Sequence, residues 1–224
     1  MSFFMVKTYQ ESFELQEEVT FYVITLNTEE RLKNIKNQQA KIKAKIHLFE
    51  GVDGRKLDIS SVKDPEIAPS FIKEDKIRKN EIGCYMSHYR LYQKIASSGN
   101  PKGYTVILED DFVLDDDFEN KLTKGLEQFV EKDFDILFLE NVAQNIGKKT
   151  ETQQICEIDK KKDLYGLLGY LVKNANIQKV IQNTNHMTTA IDHQLENAIF
   201  QNELVAYTFC PFIVKQAGMP SLIQ

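Results

Sequence analysis

Residues 19–26 read Val-Thr-Phe-Tyr-Val-Ile-Thr-Leu, and Asn27-Thr28-Glu29-Glu30 follows without a gap. The run is short, β-branched and aromatic, and almost continuously apolar. That suits a strand buried on both faces of a parallel sheet. Asn27 with Glu30 three residues on has the spacing of a capping box. A polar helix is therefore expected to run to about Lys45, with Leu32, Ile35 and Ile42 as its sparse apolar stripe. Strand, tight turn and helix in this order open an α/β layered domain.

The same reading continues down the chain. His47–Val52 is expected as a strand closed by the Asp53-Gly54 turn pair. Residues 55–79, with Pro65 and Pro69, read as an irregular connection. Asn80 is placed to cap a helix over Glu81–Ser98, which Gly99-Asn100-Pro101 would stop. Tyr104–Leu108, Phe134–Leu139, Tyr165–Val172 and Val205–Phe209 are expected strands. Helices are expected from Phe118 to about Lys132, from Asn174 to about Asn183 and over Thr189–Phe200. Gln144–Lys162 reads as an exposed polar excursion, and the residues after Pro211 as an irregular tail. No repeat or low-complexity linker interrupts the pattern, so a single α/β domain over residues 1–224 is expected, with 1–17 a loosely ordered extension.

Composition narrows the function classes. The chain has 224 residues, 42% hydrophobic and 27% charged, with a formal net charge of −5. This is an ordinary globular balance, and it gives no footprint for duplex nucleic acid. The first ten residues hold too short an apolar run for a signal peptide, and no stretch approaches the roughly 20 apolar residues of a membrane helix. Cys84, Cys156 and Cys210 form no CxxC pair, and their number is odd. A zinc site or disulfide framework is therefore not expected. The expectation is a reduced, cytoplasmic protein with no transmembrane segment, free to touch a membrane peripherally.

Three constellations carry candidate chemistry. Glu109-Asp110-Asp111 stands where the buried run Val106-Ile107-Leu108 ends, and open α/β sheets bind ligands at the carboxyl ends of their strands. Adjacent carboxylates repel one another and resist desolvation. An oxygen-seeking divalent ion resolves this, and Mg²⁺ or Mn²⁺ is commonly held by one or two carboxylates plus substrate phosphates. The competing reading is a solvated acidic turn, and Asp115-Asp116-Asp117 reads as charge at a helix N-terminus. Glu81-Ile82-Gly83-Cys84 with Ser87-His88 is the second. Gly83 in a first helical turn costs about 0.5–1 kcal/mol against alanine, which makes sense if something approaches the backbone there. His88 is otherwise a core histidine beside Cys84 and Leu91. The third is Asp192, whose spacing from Thr189 also suits a helix cap.

Taken in order, these pieces resemble glycosyltransferase family 25, the lipopolysaccharide and collagen β-galactosyltransferases. The residues that carry the resemblance are Tyr22–Asn27 with Arg31, Gly51–Arg55, Glu81–Cys84 with Ser87-His88, Leu108–Asp111, Gly169-Tyr170, Asp192, and Pro211 with Gln216. It implies a GT-A-type nucleotide-sugar domain with a mostly parallel central sheet and flanking helices. It also implies a metal-dependent inverting enzyme that moves a hexose, galactose first, from a UDP-sugar to a glycan, lipid-linked or collagen-like acceptor. Leu26, Asn27, Arg31 and Asp53 would line the nucleoside pocket. Gly83, Ser87 and His88 would stand near the sugar or diphosphate, with Asp110, Gly169, Tyr170 and Gln216 also on the donor side. Asp111, with Glu109, would hold Mn²⁺ or Mg²⁺, Asp192 would be the base, and Glu140 the alternative base or a donor-sugar contact. The triplet is EDD rather than DxD, and no tryptophan is present for acceptor stacking. The other functional class consistent with these residues is a nucleotide-sugar-binding module without turnover. A metal-dependent phosphohydrolase would need more His and Asp ligands than the sequence offers.

Overall fold

The computed structural model describes residues 19–72, 76–129, 133–140, 146–149 and 154–220. In chain order its elements are β1 (Val19–Thr25), α1 (Glu29–Gln39), β2 (Ile46–Glu50), β3 (Glu66–Ile67), α2 (Lys76–Ser97), β4 (Tyr104–Glu109) and β5 (Phe112–Leu114). There follow α3 (Phe118–Glu127), β6 (Ile136–Phe138), β7 (Ile146–Lys149), β8 (Ile155–Ile158), β9 (Gly169–Lys173) and α4 (Ile177–Thr184). The chain continues through β10 (His186–Met187), α5 (Ile191–Phe200), β11 (Ala206–Phe209) and β12 (Val214–Gln216). The N-terminal extension expected over 1–17 lies outside the described residues.

Eight strands form one sheet in the order β2-β1-β4-β9-β6-β11-β8-β7. From the pairings, β2, β1, β4, β6, β11 and β7 run one way, and β9 and β8 run the other. The sheet is thus mixed and mostly parallel, as the opening strand suggests. Alternation along the strands divides the core in two. Ile107 on β4, with Tyr170 and Val172 on β9, packs under α2, α4 and α5. Val106 and Leu108 on β4, with Leu171 on β9, pack under α1 and α3. Each large apolar side chain buried in this way contributes about 1.5–3 kcal/mol, so the central strands tolerate few polar substitutions.

Several elements differ from the sequence expectation. Asn27 is not a cap: it takes a left-handed conformation, φ 58°, with its N–H bonded to Thr25 Oγ1 at 2.9 Å. Thr28 is the N-cap residue of α1. Asparagine tolerates that region better than most residues, so it makes the turn itself. Helix α2 starts at Lys76 rather than Glu81, since the Lys-, Arg- and Ile-containing stretch before Asn80 is helix-compatible and Asn80 is absorbed. Gly83 therefore lies inside the helix instead of in its first turn. The stretch expected as an excursion contributes β7 and β8 to the sheet, and the expected irregular tail contains β12, which pairs antiparallel with β5.

Cys156 and Cys210 are disulfide-bonded, at a sequence separation of 54. The expectation of no disulfide is overturned. The odd count leaves Cys84 free, and two cysteines distant in sequence meet because β8 and β11 are neighbours. The cysteine-based ground for a reduced compartment goes with it. Among the described residues no helix is long and apolar enough to cross a membrane.

Candidate active site

Strands β1 and β4 end side by side, with Ile24 opposite Glu109. A cleft opens at these carboxyl ends, bounded by the Gly51–Gly54 loop, α2 and the β12 segment. Of the residues expected at the site, Leu26, Arg31, Asp53, Ser87, His88, Glu109, Asp110, Asp111 and Gln216 line it together. Asn27, Gly83, Glu140, Gly169, Tyr170 and Asp192 lie outside the lining.

The loop is held against α2 by two glycines. A Cβ on Gly83 would sit 2.7 Å from the Val52 carbonyl oxygen, and one on Gly54 would sit 2.1 Å from the Lys79 carbonyl oxygen. Ser87 Oγ accepts from Val52 N–H at 2.8 Å and donates to the Gly83 carbonyl at 2.7 Å. Gly83 and Ser87 thus position the loop, and the close approach expected at Gly83 is made by protein backbone. Asp53 caps the short 3-10 turn that follows and takes a two-pronged contact from Arg55, at 2.7 and 2.9 Å. That hydrogen-bonded pair holds its carboxyl below the usual carboxylate range.

The acidic triplet divides. Asp110 Oδ1 and Asp111 Oδ2 lie 3.2 and 3.1 Å from Arg31 Nη1, and all three side chains are at least nine-tenths buried. Burial pushes the Asp110 carboxyl up, opposed by a hydrogen bond with Thr25 and the charge of Arg31. Arg31 Nη1 is buried at ion-pair distance from both acids yet aligned in a hydrogen bond with neither. Its Nη2 donates to the Pro220 carbonyl at 2.7 Å. Asn34 Nδ2 donates to the carbonyls of Asp110 and Phe112 and fixes the turn between β4 and β5. Gln216 Nε2 reaches Asp111 Oδ2 at 3.2 Å, a contact that exists because β12 pairs with β5. Glu109 turns instead toward α2, where Oε1 is 3.4 Å from His88 Nε2.

His88 is buried, and its Nδ1 is 2.8 Å from Tyr170 Oη, which is 2.6 Å from Tyr92 Oη. Tyr170 is buried behind His88, outside the cleft lining. Glu140 is buried behind the acidic triplet and accepts from Gly169 N–H at 3.1 Å. Burial pushes its carboxyl up to about 8, with the Gly169 and Leu168 N–H groups opposing and the charges of Glu109 and Asp111 adding. A Cβ on Gly169 would crowd Leu108 and Val214 at 3.0 Å, so this position serves packing beneath the cleft. Asp192 lies in the first turn of α5, where Oδ2 accepts from Gly166 N–H at 3.1 Å. Its charge is close enough to help raise the Cys84 thiol.

Sequence reasoning missed Thr25, Asn80 and Cys84 as lining residues. Only Cys84 carried a signal, its spacing of four from His88 on one helix.

Residues 18–195 match the family described as glycosyltransferase family 25 (LPS biosynthesis protein). The chain belongs to this family. Human procollagen galactosyltransferase 2 is 22% identical over 158 residues, 67% of this chain and 24% of that protein. Human inactive glycosyltransferase 25 family member 3 is 23% identical over 141 residues, 60% of this chain and 23% of that protein. A putative glycosyltransferase of Acanthamoeba polyphaga mimivirus is 32% identical over 104 residues, 42% of this chain and 31% of that protein. The chain spans only 23–31% of the length of these relatives. A solved structure of a protein from STIV covers 88% of this chain and 83% of its own, at 12% identity and a TM-score of 0.40. Family membership makes the chain a glycosyltransferase-family protein.

Proposed function

We propose that the cleft binds a UDP-sugar, UDP-galactose first, and that the protein transfers the hexose with inversion to a hydroxyl of a glycan, lipid-linked or collagen-like acceptor. The observation that carries this reading is the convergence of Asp110, Asp111, Arg31 and Gln216 at the carboxyl end of β4, in a family of sugar transferases. Leu26 and Asp53 lie on the nucleoside side, and Arg31 on the diphosphate side.

The oxygen donors fit a hard cation. Two buried carboxylates stand beside an amide, and their present partner, Arg31 Nη1, is not locked by an aligned hydrogen bond. Mn²⁺ or Mg²⁺ held by Asp111, with Asp110 assisting, would supply charge stabilisation to the departing diphosphate. Arg31 adds fixed positive charge at the same end of the cleft. In the reaction the acceptor oxygen bonds to the anomeric carbon as the bond from that carbon to UDP breaks. The electron pair leaves on the diphosphate, and the hydroxyl proton passes to Asp192. Glu140, pushed up to about 8, keeps its proton at neutral pH. Buried outside the cleft lining, it suits a hydrogen-bonding role beneath the acidic triplet better than accepting a proton. Exposed Tyr165 stands beside His193, edge to ring at 5.6 Å. Its chain neighbour Gly166 donates to Asp192, so Tyr165 offers an aromatic surface to an acceptor sugar beside the proposed base.

The test is UDP release from UDP-galactose with Mn²⁺, with and without a panel of acceptor glycans. Acceptor-stimulated release that vanishes in Asp111→Asn supports the reading. A second reading, a binding module without turnover, draws on the relatives named inactive and on the charge match that Arg31 already provides. Saturable UDP-galactose binding with no release in any arm would select it and sink transfer.

A further inference from the structure

The split in the acidic triplet leaves Glu109 facing chemistry unlike that around Asp110 and Asp111. Glu109 Oε1 lies 3.9 Å from Cys84 Sγ and 3.4 Å from His88 Nε2, and all three potential donor atoms lie within 4.8 Å of one another. Cys84 and His88 are four residues apart on α2, so helical periodicity puts them on one face. Tetrahedral zinc, with bonds near 2.3 Å to sulfur and 2.0–2.2 Å to nitrogen and oxygen, needs donors about 3.3–3.6 Å apart. The two separations to Glu109 Oε1 already lie within about half an ångström of this, and the Cys84–His88 pair, within 4.8 Å, closes by side-chain rotation on one helix face.

We propose that Cys84 Sγ, His88 Nε2 and Glu109 Oε1 form a zinc site distinct from the Asp110–Asp111 pair, with a fourth position open to the cleft. The surroundings of His88 carry the argument further than proximity alone. A histidine that binds a metal through one nitrogen normally donates from the other to a fixed acceptor. Here Nδ1 is 2.8 Å from Tyr170 Oη, itself 2.6 Å from Tyr92 Oη. A proton on Nδ1 shared with this pair leaves Nε2 with a bare lone pair aimed at Glu109. Thiolate and imidazole favour zinc over the hard ions suited to Asp110 and Asp111. Binding releases the Cys84 thiol proton to solvent and changes no oxidation state. The site stands whether or not the cleft binds a UDP-sugar.

Cys156 and Cys210 are joined, so Cys84 is the one free thiol of the three cysteines. Metal-free full-length protein is titrated with Zn²⁺ against a chromophoric chelator, then with Co²⁺ while its absorption is recorded. One equivalent of Zn²⁺ and a sulfur-to-cobalt charge-transfer band are expected. Cys84→Ser should remove that band and weaken zinc binding at least tenfold, Tyr170→Phe should weaken it about tenfold, and Asp111→Asn should leave it unchanged. The parent protein alone decides if a variant does not fold. Failure to take up one equivalent, or a cobalt spectrum without the sulfur band, overturns the site.

Discussion

The two halves of the sheet use the same alternating apolar strands for different ends. In the half built from β2, β1 and β4 the strands are parallel, and their carboxyl ends open onto the cleft with Arg31, Glu109, Asp110 and Asp111. In the half built from β6, β11, β8 and β7, directions alternate more often, and the notable covalent feature is the Cys156–Cys210 bond. Parallel strands deliver all their carboxyl ends, with the connections that follow, to one edge. Antiparallel neighbours send theirs to opposite edges and build no shared rim. One half therefore gathers Arg31, Asp110 and Asp111 at a shared rim, and the other carries the covalent cross-link.

Substitutions that separate activity from stability test this contrast. The largest effect is expected at Asp192. Asp192→Asn should lower acceptor-dependent transfer by roughly 10²–10⁴-fold, the range for a lost general base, with UDP affinity retained. Near-normal turnover in that variant removes Asp192 from the reaction. On the other half, Cys210→Ser should lower unfolding free energy by about 4 kcal/mol, from the entropy of the 54-residue closure. Urea denaturation reads the loss, and UDP affinity of the folded fraction should stay within about twofold. A large loss of affinity would mean the halves are not separate in function.

Arg31→Ala removes the counter-charge from two buried carboxylates and should cost about 3–4 kcal/mol, recovered in part by Mn²⁺. A variant as stable as the parent would show that the acids are neutralised by protonation instead. Glu140 gives a pH test. Its folded carboxyl is raised to about 8 from an ordinary value of 4.5. Between these values the unfolded chain is ionised while the folded chain keeps its proton. The stability contribution is therefore full below about pH 4.5 and is lost as pH rises to about 8, on the order of 5 kcal/mol across the window. Glu140→Gln should flatten that part of the urea-midpoint profile, and parallel profiles for parent and variant would contradict the assignment. The smallest effect is expected at Ser87. Ser87→Ala loses the hydrogen bonds that tie Val52 to α2 and should cost about 1 kcal/mol.

Much of the cleft was legible because its residues sit at the ends of strongly patterned strands. The run Val106-Ile107-Leu108 fixes where Glu109, Asp110 and Asp111 emerge. The same logic misjudged α2, where a capping residue at Asn80 looked like a start although the residues before it also favour helix. It also missed β5 and β12, three residues each, too short to show a period. Without that pair Gln216 has no reason to reach Asp111.

By itself the sequence determined the α/β layering, the position of the acidic tip and the family, because apolar periodicity and motif order are local or sequential properties. Tertiary structure decided which way each acid turns, the direction of β9, the meeting of Cys156 with Cys210 and the grouping of Cys84, His88 and Glu109. These follow from packing between residues far apart in the chain, and no spacing along a single strand or helix encodes a contact across the sheet.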